Sequence, residues 1–164
     1  MIDFVAIPEE RMKILSKDTK WEEKLKKFLE VKVEVNEDIR IEGEDPIHVL
    51  RAKEIFKAFG RGFDFDSSLD LVDEEFGLEI IELKYYAGKS KDRQMDLKGR
   101  VIGSGGKVKK DIEKDTDCKI CIFGKTVSII GRWEDLRIAK KAIEMLLEGS
   151  MHSTVYKFLG NRRK

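Results

Sequence analysis

The sequence predicts an α+β protein made of two tandem βααββα units. Three observations carry this: an internal repeat, pairs of short period-2 apolar runs, and a glycine-rich segment between two helical patterns. Moving the chain along by 87 residues places Leu15 on Ile102, Leu25 on Ile112, Val33 on Ile120 and Val35 on Ile122. The same shift sets Ala52-Lys53 on Ala139-Lys140, Phe56 on Ile143 and Phe59 on Leu146, while a one-residue slip brings Gly43 onto Gly131. Identity is low but the apolar positions agree, so duplication is the economical explanation.

The first unit, residues 1–77, opens with a short strand near Phe4–Ile7, then Pro8 and a short helix through Leu15. A second helix spans Lys20 to Leu29. Val31–Val35 and Ile39–Ile41 alternate as strands do. Asp45 is a helix cap with Pro46 in the first turn, and that helix runs to about Phe59 and stops at Gly60. A short helix starting at Asp66 or Ser67, through Leu69, Leu71 and Val72, packs onto this unit.

The second unit, residues 78–164, repeats the order. Leu78–Tyr86 reads as a strand, a short helix runs towards Ile102, and another spans about Lys107 to Thr116. Lys119–Phe123 and Thr126–Ile130 are strands joined by a tight turn at Gly124-Lys125. The helix from Trp133 to Glu148 puts Leu136, Ala139, Ile143, Leu146 and Leu147 on one face. Val155, Phe158 and Leu159 then mark a partly docked tail helix with a basic end, Arg162-Arg163-Lys164.

Composition sharpens the reading. Charged residues make up 40% of the chain, Gln94 is its one glutamine, and Asn36 and Asn161 are its asparagines, the pattern of a protein from a hot environment. No apolar run approaches the roughly 18–20 residues that span a bilayer, and the N-terminus lacks signal-peptide character; a cytoplasmic protein is expected. A net charge of +1 would argue against a polyanionic partner, but residues 1–77 carry −7 and residues 78–164 carry +8. The second half can attract a nucleic acid.

The segment from Leu97 to Lys110 holds five basic residues and no acid. Glycines at 103, 105 and 106 let a backbone approach closely, and the free amides opening the next helix favour a phosphate. A Walker loop would need Gly at Val101 and Ser or Thr at Val108, and a dinucleotide fingerprint would need Gly at Val108. Both fail. In the first unit the matching stretch, Ser16-Lys17-Asp18-Thr19, lacks glycine, and Thr19 with Glu22 fits a capping box that would fill the anion site.

Ile102-Gly103-Ser104-Gly105-Gly106, within this order of elements, resembles the signature loop of the type I KH family. The two units are thus expected to be tandem KH domains, the first degenerate. The resemblance implies a loop that clamps the backbone of single-stranded RNA. The implied groove involves Val101, Ile102, Val108, Ile120 and Ile122, with Lys98, Arg100, Lys107, Lys110 and Lys119 as basic neighbours and Gly103, Ser104, Gly105 and Gly106 as the clamp. The spacing leaves open which of these face the groove and which the core.

With the tail Met151 to Leu159, nearly the whole chain is similar to archaeal members of the partner-of-Nob-one family, also called Dim-two. That likeness implies an rRNA-binding factor in small ribosomal subunit maturation, near the 3′ end of the small-subunit rRNA. It further implies cooperation with a Nob-type endonuclease, a dimethyltransferase or another ribosome-associated protein.

Other chemistries find little support. Cys118 and Cys121 have redox spacing but fall in a predicted strand on opposite faces, and His48 and His152 lie too far off to complete a zinc site. No catalytic constellation is present, so the expectation is a non-enzyme without cofactor or metal. Tyr85, Tyr86, Phe123 and Trp133 could stack on bases, although such residues more often belong to cores or strand surfaces. A KH-fold adaptor whose main partner is a protein, docking on the acidic half, is the competing expectation.

Overall fold

The computed structural model describes residues 1–162. The chain divides into two compact units, Met1–Phe76 and Gly77–Lys164. In the first, β1 (Ile2–Val5), α1 (Glu9–Lys17), α2 (Lys20–Lys26), β2 (Lys32–Val35), β3 (Ile39–Glu42) and α3 (Pro46–Gly60) follow in that order, then α4 (Phe65–Ser68) and a 3₁₀ turn at Leu69–Val72. The second contains β4 (Phe76–Glu82), α5 (Lys84–Ala87), α6 (Lys91–Ile102), a 3₁₀ turn at Ser104–Gly106, α7 (Lys107–Thr116), β5 (Lys119–Phe123), β6 (Thr126–Arg132), α8 (Trp133–Leu147) and α9 (His152–Arg162). The expected basic end of the tail at Arg163 and Lys164 lies outside the described residues.

Each sheet has its last strand in the middle: β1-β3-β2 in one, β4-β6-β5 in the other. β3 pairs antiparallel with both neighbours, Ile41 facing Asp3 on one side and Val33 on the other. In the second unit Ile120 pairs with Ile129 and Phe123 with Thr126. That leaves Gly124-Lys125 as a two-residue turn in which Gly124 alone takes positive φ, 55°, as a II′ turn requires.

The apolar faces meet as the repeat predicts. Leu15, Leu25, Ile39, Ile41, Ile55 and Phe56 are fully buried in the first unit. Trp21 stands edge-on to Phe56 at 5.6 Å, and Phe65 from α4 closes the cluster 5.9 Å from Phe56. In the second unit Ile112, Ile129, Leu136, Ile143 and Leu146 fill the matching core, and α9 adds Val155 and Leu159. Burying each such side chain contributes about 1.5–3 kcal/mol.

Both units also carry a glycine over which a Cβ would press on a neighbour. A Cβ on Gly43 would lie 2.9 Å from the Glu30 carbonyl oxygen; one on Gly131 would lie 2.4 Å from Cys118 Sγ. Val31, whose Cγ1 would lie 3.2 Å from the same Cβ on Gly43, is the residue that matches Cys118 in the repeat.

Four local expectations need correction. The strand expected to run to Tyr86 ends at Glu82, and Tyr85 and Tyr86 sit in α5, whose turn Gly88 ends with φ 59°. Aromatic β-propensity misled there, because the Leu83 amide turns to the Lys125 carbonyl and helical bonds follow. Asp64 caps the helix expected to start at Asp66 or Ser67, its carboxylate accepting from the Ser67 amide at 2.8 Å. The opening strand is Ile2–Val5, ahead of Phe4–Ile7. Cys118 lies one residue before β5, with its thiol buried.

Gly131→Ala is expected to destabilise the second unit by about 1–3 kcal/mol through overpacking. Cys118→Ala in the same chain should return part of that loss, as read by urea unfolding.

Candidate nucleic-acid interface

Ser90 opens α6 by accepting from the Arg93 amide at 3.2 Å. Leu97 and Val101 face the core, with Gln94 buried beside them. The helix ends where the Gly103 amide donates to the Gly99 carbonyl at 2.8 Å. Gly103 then takes φ 74° and ψ 174°. A Cβ there would fall 2.4 Å from Val108 Cγ2 and 2.9 Å from the Val108 nitrogen, so the end of α6 lies directly on the first turn of α7. Only glycine meets both conditions.

Gly105 and Gly106 also have positive φ, 62° and 78°. They carry the chain through one tight turn closed by the Gly106 amide on the Gly103 carbonyl at 3.1 Å. Among the described residues no side chain caps α7. The Lys107 amide donates to the Ser104 carbonyl, and the helix opens on the turn with the positive end of its dipole facing it. Ser104 and Gly105 are exposed, and a Cβ on Gly105 would meet no described atom within 4 Å.

The first unit treats the same position differently. The expected capping box does not form: Thr19 makes no side-chain cap. Asp18 supplies the carboxylate instead, accepting from the Lys20 amide at 3.1 Å. The anion site is filled from within, by the residue one place earlier.

The expected contact residues separate into three groups. Gly103 to Gly106 form the turn, with Ile102 exposed at its edge and Ile122 half-buried. Lys98 is half-buried, and Lys110 and Lys119 are exposed. Val101 and Ile120 are core, 0% and 4% exposed, and Val108 is buried against Gly103.

Arg100 and Lys107 are occupied by the protein. The Arg100 guanidinium donates to the Leu146 carbonyl at 3.0 Å and to the Ser150 carbonyl, at the end of α8 and in the link to α9. Its own carbonyl lies 3.3 Å from His152 Nε2. Lys107 Nζ pairs with Asp111 Oδ2 at 2.7 Å and lies 5.5 Å from the centre of the Tyr156 ring. The Tyr156 hydroxyl donates to the same Asp111 oxygen at 2.7 Å. Hydrogen bonds from Lys107 and Tyr156 hold the Asp111 carboxyl below its ordinary range. The bond to Asp111 raises Lys107, and burial raises the Tyr156 phenol.

Asp111, His152 and Tyr156 were not among the residues expected here. The i,i+4 spacing of Lys107 and Asp111 was the one sequence signal for this cluster; the tail's contribution has no local signature.

A model described as a eukaryotic-type KH domain (KH-domain type I), the second one of Pno1, matches residues 77–164. A KH domain-containing protein of Methanocaldococcus jannaschii is 39% identical, covering 99% of this chain and 74% of that protein. The pre-rRNA-processing protein pno1 of Schizosaccharomyces pombe is 30% identical over 71% of the chain, which spans about half the length of that relative, 49%. A chain in the crystal structure of the a/eIF2alpha–aDim2p–rRNA complex of Pyrococcus horikoshii OT3 superimposes with a TM-score of 0.89 at 32% identity, covering 99% of this chain and 94% of that one.

Gly103→Ala is expected to cost about 2–4 kcal/mol, from positive φ and the Val108 clash together. Gly105→Ala, with φ alone to oppose it, should cost about 1 kcal/mol; urea unfolding of both variants checks the difference. Asp111 titrates lower in the folded chain than in the unfolded one. Its contribution is therefore complete above the unfolded carboxylate pKa of about 4 and is lost as pH falls through the folded value. Asp111→Asn should flatten that part of the acid-side decline in melting temperature.

Proposed function

The chain belongs to the Pno1 family of type I KH-domain proteins, and from that premise we propose that it binds single-stranded RNA through the turn at Gly103–Gly106. Binding rather than catalysis is its role. The observation that carries this reading is a start of α7 that no described side chain caps, reached through three positive-φ glycines in a unit of net positive charge. Glycine there leaves room for a sugar-phosphate chain against bare backbone. Ile102, Lys110 and Lys119, exposed, and Ile122 and Lys98, half-buried, are the side chains this reading assigns to its flanks. Val101, Ile120 and Val108 support the turn from beneath.

The RNA is small-subunit rRNA near its 3′ end, and the chain acts as an assembly factor in subunit maturation. Relatives named for pre-rRNA processing and a matching chain from an rRNA complex support this. The first unit is a degenerate KH domain, since it shares the element order and sheet order of the second while Asp18 occupies its loop. A Nob-type endonuclease or another ribosome-associated protein is the protein partner this assignment suggests.

A second reading, a KH-fold adaptor with little RNA binding, draws on the net charge of −7 on residues 1–77 and that filled loop. Titrating a randomised single-stranded RNA pool at several salt concentrations separates the two. About three phosphate contacts should give a slope of log K against log salt near −2. A flat response or no binding supports the adaptor.

Ser104→Asp combined with Gly105→Asp should weaken RNA binding at least about tenfold, or about 1.4 kcal/mol. The double variant should stay folded, because both positions are exposed. Unchanged affinity would remove the turn from the site. Asp18→Gly should leave RNA affinity as it was; a large loss there would move the site to the first unit.

A further inference from the structure

The turn at Gly103–Gly106 has a structural problem of its own. Three of its four residues are glycine, and ordering such a segment costs about 1–2 kcal/mol of backbone entropy per residue. A loop that binds well must be held from outside. Its own bonds are local: the Gly106 amide on the Gly103 carbonyl, the Lys107 amide on the Ser104 carbonyl, and the contact of Gly103 with Val108.

The holding groups converge from the C-terminal end of the unit. On the α6 side, Arg100 lies three residues before Gly103 and grips Leu146 and Ser150 with two nitrogens of its fork, while His152 reaches back to the Arg100 carbonyl. On the α7 side, Lys107, the residue after the turn, is held by Asp111, and Asp111 by Tyr156 of α9. Beneath both, α9 is fixed in the core by Val155 and Leu159, 2% and 1% exposed. One helix and the link before it therefore brace both flanks of the turn.

We propose that α9 is a strut for the RNA-binding turn, with Arg100 and Tyr156 as positioning residues that act on RNA affinity without touching a phosphate. The inference rests on the RNA-binding reading above and replaces the expected role of Arg100 as a phosphate contact. The guanidinium satisfies two carbonyls left open at the C-terminal end of α8, as basic side chains do at helix ends. Lysine cannot reproduce a planar two-carbonyl grip.

The test compares Arg100→Lys, Arg100→Met and Tyr156→Phe in the full chain. Tyr156→Phe keeps the ring and removes only the hydroxyl, so it should melt within a few degrees of the parent even if the Arg100 variants fold poorly. Two measurements are made: affinity for the randomised single-stranded RNA pool across a salt series, and hydrogen exchange of the amides of Ser104 to Lys107 without RNA. A strut predicts faster exchange at these amides and affinity weaker by about threefold to tenfold, with an unchanged salt slope. Arg100→Lys should then fail as badly as Arg100→Met.

Recovery of affinity by lysine, with a slope reduced by about 0.7 for methionine, would make Arg100 a phosphate contact and overturn the proposal. Unchanged exchange in Tyr156→Phe would overturn it too, as would unchanged RNA affinity wherever the parent binds. Should the parent chain bind no RNA, the functional reading falls alone. The exchange measurement then still decides whether α9 braces the turn.

Discussion

The close approach of Gly103 to Val108 is the constraint on which the second unit's site depends. With no side chain at 103, the end of α6 rests on the backbone of α7's first turn. The chain must then reverse within three residues, which Gly105 and Gly106 permit through positive φ. The outcome is a helix N-terminus that opens on a turn instead of a capping side chain. That opening, clear of any described side-chain cap, follows from packing before any ligand is considered.

The first unit shows what happens when that constraint is absent. It has the same order of strands and helices and an equally buried core, and even an arginine clasping the end of its last long helix: Arg11 donates to the carbonyls of Phe59 and Phe63. Those acceptors match Leu146 and Ser150 in the repeat, although the two arginines stand at different points along their helices. Without glycine in the α1–α2 link, Asp18 turns its carboxylate onto the helix start. The two units thus share a scaffold, while in the first a single acidic side chain bonds to the start of α2.

Much of this was legible in the sequence because it depends on residues with narrow meanings. Glycines at 103, 105 and 106 announced a turn, Asp45 and Pro46 announced the start of α3, and period-2 runs announced β2, β3, β5 and β6. What escaped was set by partners distant along the chain. Val101 and Ile120 look the same in a groove or in a core, and only packing sent them inward. Arg100 read as a free cation until its acceptors, 46 and 50 residues away, were in view. Thr19 carried the capping pattern, yet it is Asp18 whose carboxylate meets the Lys20 amide.

The reach of Arg100 to Ser150, 50 residues on, also has a meaning in time. During synthesis the glycine turn emerges well before the carbonyls that its neighbouring arginine must grasp. A nascent chain halted between them would display the signature sequence without the scaffold that shapes it. Competence to hold a ligand thus arrives late, with the last helix, and premature capture by a half-made protein is disfavoured by the order of translation itself.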